Sequence, residues 1–386
     1  MSNTLTAIIP KILARGLNVL REQCVMPRLV NGDYSSDAAQ KGATIDVPVP
    51  TAMTATEVSP SSTPKTASDH TITTVQVPLD NWYSTNFHLT DKDMVQIDRN
   101  QSFFPMQAME AVRALANKVN ISLQDLYIET PYYYGTAGST PFNDTDKVKS
   151  ATGARKILNQ NLAPRVDRRG VLNYDAEANA LALSEFSDAE KIMSPTVKME
   201  GEIGRKFGID WVADDHVRSH TTGAVAATAG IAIDYGSGYS AGVSTIHLDG
   251  FTSDNLPNVG DVFKITGDSQ PYVVTGVGSS SGTETDITIY PALAAAAADD
   301  AAVTFVDSHV ANMVFHRDAI AFATRPLIAS TQDLALGSRI MSMQDPDTGL
   351  TLRLEVSRQN KQVLWEFDIL WGCKMVRPQL ACRLLG

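Results

Sequence analysis

Cysteine is nearly absent from this chain: Cys24, Cys373 and Cys382 are the only three in 386 residues. Thiols so few and so scattered exclude a disulfide framework and form no C-x-x-C metal pair, so they read as reduced, partly buried side chains. Basic residues are also outnumbered, with 32 Lys and Arg against 43 Asp and Glu and a formal charge of -11. That balance excludes broad electrostatic gripping of nucleic acid, which needs clustered cations to displace counterions. It is compatible with a chain that surrounds nucleic acid without holding it. No hydrophobic run is long enough to cross a membrane. The first apolar cluster is broken by Pro10, Lys11 and Arg15 rather than forming the continuous core of a secretory signal, so the expected location is a cytoplasm.

Complete catalytic constellations are missing too. The stretch "GYSAG", residues 238–242, fits the G-x-S-x-G elbow that would make Ser240 a nucleophile. That motif needs a helix immediately after the serine. Here "VSTIHLDGF" comes next, with alternating residues and a β-branched start, which reads as a strand. His316, Arg317 and Asp318 spell H-R-D, but the expected asparagine is replaced by Ala323 and no glycine-rich phosphate loop exists, so a surface charge cluster is preferred. Asp214, Asp215, His216 and His220 could approach a metal, yet no Glu follows the first His and the stretch reads as a strand end and loop. "DPDTG", Asp345 to Gly349, lacks the later glutamate of a calcium loop and reads as a turn. The Asn143 sequon carries no meaning in a cytoplasmic chain. No catalytic, cofactor-binding or metal-ligating residue is assigned, no cofactor is expected, and the chain is not expected to be an enzyme.

What the sequence does hold is a succession of amphipathic elements. Residues 4–24 place Leu5, Ile8, Ile9, Ile12, Leu13, Leu17, Leu20 and Cys24 at three- and four-residue intervals, a stripe that suits either a core helix or an arm lying on a neighbouring subunit. "GATIDVPVP" and "HTITTVQVPLD" flank some twenty Thr-, Ser- and Pro-rich residues and predict a long hairpin, which must pack on its own domain or be covered by another chain. Residues 101–128 predict a helix of about seven turns. Helices are predicted at 149–161 and 176–193, and a strand at "GIDWVADDHV". Residues 224–308 are almost devoid of Lys and Arg and hold six short strand candidates, from "GIAIDYG" to "AVTFVDS", which predict a small β-barrel or sandwich inserted into a domain that resumes after it. "NMVFHRDAIAFATRPL" begins apolar and turns amphipathic. Two strands close the sequence around Gln359 and Asn360, with Trp365, Phe367, Ile369, Trp371 and Cys373 sharing a core face. The layering predicted is α+β.

In their order, "LREQCVMPRLVNGDY", "KGATIDVPVP", "AMEAVRALANKVNISLQDLY", "MEGEIGRKFGIDWVADDHVRSHTTG", "NMVFHRDAIAFATRPL" and "LWEFDILWGCKMVRPQLACRLLG" resemble the major capsid (coat) proteins of tailed bacteriophages, of the podovirus type with an inserted β-domain. The resemblance implies the tailed-bacteriophage and herpesvirus major capsid fold. Its parts would be an N-terminal arm at 1–30, and a peripheral domain at 31–142 and 341–373 with an extended loop at 43–88 and a spine helix at 101–128. An axial domain would take 143–223 and 309–340 together with 374–386, and the insertion 224–308. The implied function is structural: self-assembly into pentamers and hexamers of an icosahedral shell around packaged double-stranded DNA, bound without sequence specificity. The implied partners are further copies of itself, a scaffolding protein, a portal protein and a decoration protein, with the shell assembled in the host bacterial cytoplasm and no membrane involved. Some members cross-link a loop Lys to a neighbour's Asn. Lys65 sits near the ribbon tip, but no partner Asn or assisting Glu matches, so a solvated lysine is preferred. The alternatives are a non-viral encapsulating shell protein of the same fold and a serine hydrolase using Ser240.

Overall fold

The computed structural model describes residues 24–34, 44–49, 72–92, 106–187, 203–223, 230–252, 256–280, 282–325, 339–345 and 349–386, with 12–14, 16, 17, 55, 57, 58, 60, 225 and 327. Two compact units divide the chain. One takes Met1–Glu22, Asn31–Leu115 and Ile320–Val376; the other takes Gln23–Val30, Ala116–Ala319 and Arg377–Gly386.

The first unit is organised by the long strand Gln362–Met375. It succeeds Thr351–Gln359 through a two-residue turn in which Lys361 has φ 57°. The sheet runs Ile320–Thr324, Gln362–Met375, Thr351–Gln359, Arg339–Gln344, with Asn81–Thr90 also paired to the long strand. Trp365, Phe367, Ile369 and Trp371 are buried as their period-two spacing predicts, while Cys373 is half-buried. Phe87 stacks on Trp365 and Tyr83 on Trp371. Such aromatic pairs contribute about 0.5–1.5 kcal/mol each beyond their buried area.

The predicted hairpin arms are Thr44–Val49 and Thr73–Pro78, antiparallel from Thr44 opposite Pro78 to Val49 opposite Thr73. Ile45, Val47 and Val77 face one way and pack, with Leu79, on Ala321, Ala323 and Val376. Thr44, Asp46, Pro48, Thr74 and Gln76 face outward. These strands of the ribbon therefore pack on their own unit. Gly372 permits the approach, since a Cβ there would lie 2.2 Å from the Pro78 carbonyl oxygen. Pairing between the arms ends at Pro78, and residues 81–88, read from the sequence as part of the same loop, belong instead to the strand Asn81–Thr90.

Residues 12–14, 16 and 17 are helical, with Ile12, Leu13 and Leu17 buried. A Cβ on Gly16 would sit 3.3 Å from both Leu352 and Val112, so this part of the N-terminal stripe is a core helix of its own unit. Residues 4–11 and 18–23 lie outside the described residues. The helix Met106–Gln124, continued by the 3-10 turn Asp125–Glu129, forms the described part of the helix predicted at 101–128, with Ala108, Val112, Leu115, Val119 and Leu123 buried at three- and four-residue steps; residues 101–105 lie outside the described residues.

Among the described residues the second unit contains two sheets. The larger runs Tyr133–Tyr134, Ala381–Leu385, His309–His316, Arg168–Leu172, Ile209–Ala213, Gly204–Lys206, with Ser219–His220 paired to His309–His316. The helix Lys149–Gln160 fulfils the prediction at 149–161, and Tyr174–Ala182 with Ser184–Ser187 fulfils the described part of 176–193. Asn173 caps the former of these two, its side chain accepting from the Ala176 N–H at 3.2 Å. All six strand candidates of 224–308 form one antiparallel sheet in the order Val303–Phe305, Val262–Ile265, Pro271–Ser280, Thr285–Tyr290, Thr245–Asp249, Ala232–Ile233. Its core is Ile233, Ile246, Leu248, Phe263, Tyr272, Val274, Ile287 and Ile289 with their neighbours. Nearly every residue of His309–His316 and Ile320–Thr324 is buried, which erases the alternation a strand normally shows and explains why "NMVFHRDAIAFATRPL" shows no strand period in the sequence.

Candidate functional site

The residues singled out by motif are held in structural contacts. Ser240 is exposed, next to Tyr239, which bridges Ala297, and the next strand in the chain is Thr245–Asp249. The sharp strand-to-helix elbow that would activate the hydroxyl is therefore not built. His316 ends its strand almost fully buried, and its Nδ1 accepts the Asp318 N–H at 3.2 Å. The H-R-D stretch is thus a turn closed by a buried imidazole rather than a wholly surface cluster, and burial lowers that imidazole's pKa. Asn143 makes an Asx turn, its Oδ1 accepting from Thr145 at 3.0 Å and Asp146 at 2.8 Å. Asp345 is fully buried and its carbonyl accepts the Gly349 N–H at 2.9 Å; residues 346–348 of the expected turn lie outside the described residues. Lys65 lies outside the described residues.

The Asp214 to His220 stretch separates into two networks. Asp214 is buried and accepts from Asn120 Nδ2 at 2.9 and 2.7 Å, from Gln124 Nε2 at 2.8 Å and from the His216 N–H at 3.1 Å. Asn120 in turn uses its Oδ1 to accept the Met26 N–H at 3.0 Å. His220 faces elsewhere, with Nδ1 3.0 Å from the Tyr127 hydroxyl and Nε2 2.7 Å from Asp261 Oδ1. The H-x-x-x-H spacing therefore brings the two imidazoles to different carboxylates.

Around His220 lies a polar cluster that no local motif announces, because its members are residues 127, 220, 261, 309 and 383. Asp261 Oδ2 accepts the N–H groups of Gly223 at 3.1 Å and Asn258 at 2.7 Å. Arg383, fully buried, donates from Nη1 to the Gly260 carbonyl at 2.9 Å and lies 5.1 Å above the Tyr127 ring. Burial lowers the Arg383 pKa to about 10 and brings that of His309 down to about 4. Burial raises the Tyr127 hydroxyl and the Cys382 thiol. These groups stabilise charge and dipole inside the second unit. They present no exposed nucleophile beside a base.

The surface of the first unit differs in kind. Asn81–Thr90 is a ten-residue, largely exposed strand whose ladder among the described residues runs along the long strand. Its sequence, "NWYSTNFHLT", contains no Lys, Arg, Asp, Glu or Pro, the residues that ordinarily protect an exposed strand. Trp82 and Tyr83 are 60% and 41% exposed, and Val58 and Ile72, between the ribbon arms, are 78% and 66% exposed. A long uncharged strand flanked by exposed aromatic and aliphatic groups is a surface suited to cover by another chain.

No protein-family model and no curated protein sequence matches the chain. Among solved structures it is similar to a chain from Mycobacterium phage Che8, with a TM-score of 0.51 and 16% identity over 94% of this chain and 91% of that one. A chain from the capsid structure of the cyanophage P-SCSP1u superposes with a TM-score of 0.48 and 12% identity, over 89% and 84% of the two chains. The fold is the α+β fold of the tailed-phage major capsid proteins, as the sequence resemblance implies.

Proposed function

We propose that this chain is the major capsid protein of a tailed bacteriophage, a structural and non-catalytic subunit whose copies assemble as pentamers and hexamers into a closed icosahedral shell around packaged DNA. The observation that carries the proposal is the shared fold, which extends over nearly the whole length of both chains rather than one module. The exposed, uncharged strand Asn81–Thr90 and the exposed apolar residues of the ribbon region support it, because they are surfaces that a second copy of the chain is suited to cover. Many weak contacts of this sort let a misplaced subunit leave while the completed lattice stays strong. The acidic balance suits a container, since a wall that held DNA tightly would oppose both packing and release. The partners implied are a scaffolding protein and a portal, with a decoration protein as an added candidate, and assembly takes place in the host cytoplasm before the subunit becomes part of the virion. Residues 224–308 are assigned as an inserted domain, 1–30 as the arm, 101–128 as the spine helix of the peripheral domain, and 143–223 with 309–340 as the axial domain.

The strand Asn81–Thr90 gives the test. A Ser84→Lys, Asn86→Lys double variant places two cations at exposed positions of the strand. It should keep the wild-type circular dichroism spectrum and lose particle formation by more than about tenfold, the charge acting as the protection this strand lacks. Particles at wild-type yield would show that the strand is not a subunit contact.

A further inference from the structure

The six-stranded sheet of the second unit carries one imidazole on its outer face. His247 lies in Thr245–Asp249 between Ile246 and Leu248, which are fully buried in the sheet's core, so its side chain stands on the opposite side. Directly across the ladder is Asp286, whose Oδ1 lies 2.7 Å from His247 Nδ1. On the other flank Asp234 donates its N–H to the His247 carbonyl at 3.1 Å. Glu284, just before the strand Thr285–Tyr290, places Oε2 3.6 Å from His247 Nε2. One donor atom from each of Asp234, His247 and Glu284 lies within 4.8 Å of the others.

Two features set this arrangement apart from a patch of surface carboxylates. The first is the imidazole's orientation. A metal-bound histidine turns one nitrogen to the ion and gives the other N–H to a carboxylate that fixes its tautomer. His247 has Asp286 on Nδ1, and Nε2 is directed at Glu284 from beyond ordinary hydrogen-bond range. Two ligands about 2.0–2.1 Å from one tetrahedral ion are separated by roughly 3.3 Å, close to that spacing. The second is charge. Residues 224–308 hold ten Asp and Glu and a single basic residue, Lys264, whose ammonium lies 5.0 Å over the Tyr133 ring. The local field therefore favours a cation.

We propose that Asp234, His247 and Glu284 bind a first-row divalent cation, zinc by ligand type, with Asp286 orienting the imidazole. One nitrogen and two carboxylates suit zinc better than calcium, which prefers an all-oxygen set. The three ligands stand on or beside three adjacent strands, so a bound ion would tie that end of the sheet together. The proposal is independent of the shell reading. The rival account is a protonated His247 paired with Asp286 and Glu284, with no metal involved.

Isothermal titration of the chelator-treated full-length protein with zinc chloride distinguishes the two. The proposal expects saturable binding of one ion per chain, weakened at least about tenfold by His247→Ala and by Glu284→Gln, and weakened about tenfold by Asp286→Asn with stoichiometry retained. The melting temperature should rise with zinc in the wild type and not in His247→Ala. Circular dichroism identifies any variant that has failed to fold, and the milder Glu284→Gln and Asp286→Asn changes then carry the test. No saturable heat, or equal affinity in every folded variant, would overturn the proposal.

Discussion

Replacing Asp214 by asparagine changes one oxygen into an NH2 group and should cost the second unit a large part of its stability. Asp214 is 4% exposed, and its two oxygens take four hydrogen bonds, from Asn120 twice, from Gln124 and from the His216 backbone. Asn120 and Gln124 lie one turn apart in the same helix and both present NH2 groups. An asparagine at 214 can accept from one of them and must turn its own NH2 towards the other. Asn120 cannot flip to relieve this, because its Oδ1 already holds the Met26 N–H. Gln124 can turn its Oε1 to the new NH2, but that NH2 also faces the Asn120 NH2 at the 2.7 Å position and the charge-assisted bonds of the carboxylate are lost, so a net loss of about 1–3 kcal/mol is expected. Equilibrium urea unfolding of unassembled subunits should show a lower midpoint with an unchanged slope. In a double-mutant cycle Asp214→Asn with Asn120→Ala should give a coupling energy of about 1 kcal/mol or more. A change under about 0.5 kcal/mol, the range of ordinary surface substitutions, would refute the reasoning.

Acid should destabilise the subunit through His309. Its folded pKa is depressed to about 4 by burial, against 6.5 when unfolded, so the unfolded chain takes up a proton that the folded one refuses. This contribution to stability is whole above pH 6.5 and is lost at about 1.4 kcal/mol per pH unit as the pH falls towards 4. Denaturation at pH 7.5 and 5.0 should show that slope in the wild type and a reduced slope in a folded His309→Gln variant; equal slopes would refute the assignment. Gly372→Ala should lower the stability of the first unit and displace the ribbon, because the new methyl meets the Pro78 backbone at 2.2 Å. Limited proteolysis between residues 50 and 72 that is no faster in this variant would contradict that packing.

Elements with one buried face were the legible ones. Trp365, Phe367, Ile369 and Trp371 are buried at every second position, and Thr285–Tyr290 alternates buried with exposed or half-buried residues. The helix Met106–Gln124 buries Val112, Leu115, Val119 and Leu123 at three- and four-residue steps, and the sequence shows these periods directly. Segments buried on every side were not legible as strands, His309–His316 being the clearest case. The strand Asn81–Thr90 was hidden for the opposite reason: it is largely exposed and comes directly after the ribbon arm, so nothing in its residues marks where ribbon becomes sheet. Motif reading rejected Ser240 and the H-x-x-x-H pair because the required local elements were absent. It could not find the Arg383, Asp261, His220 and Tyr127 cluster, whose members are distant in sequence and meet only in the folded unit. The alternation of "TIHLD" marks a strand, but Asp286 and Asp234 become neighbours of His247 only through strand register.

The central claim is that copies of this chain cover one another's open surfaces to form a closed shell. Sedimentation velocity of the purified full-length protein, with and without a scaffolding partner and paired with electron microscopy of the fast fraction, tests it most directly. The account predicts a discrete fast-sedimenting species that images as closed particles of uniform diameter. A subunit that stays monomeric in every condition, scaffold included, would contradict it.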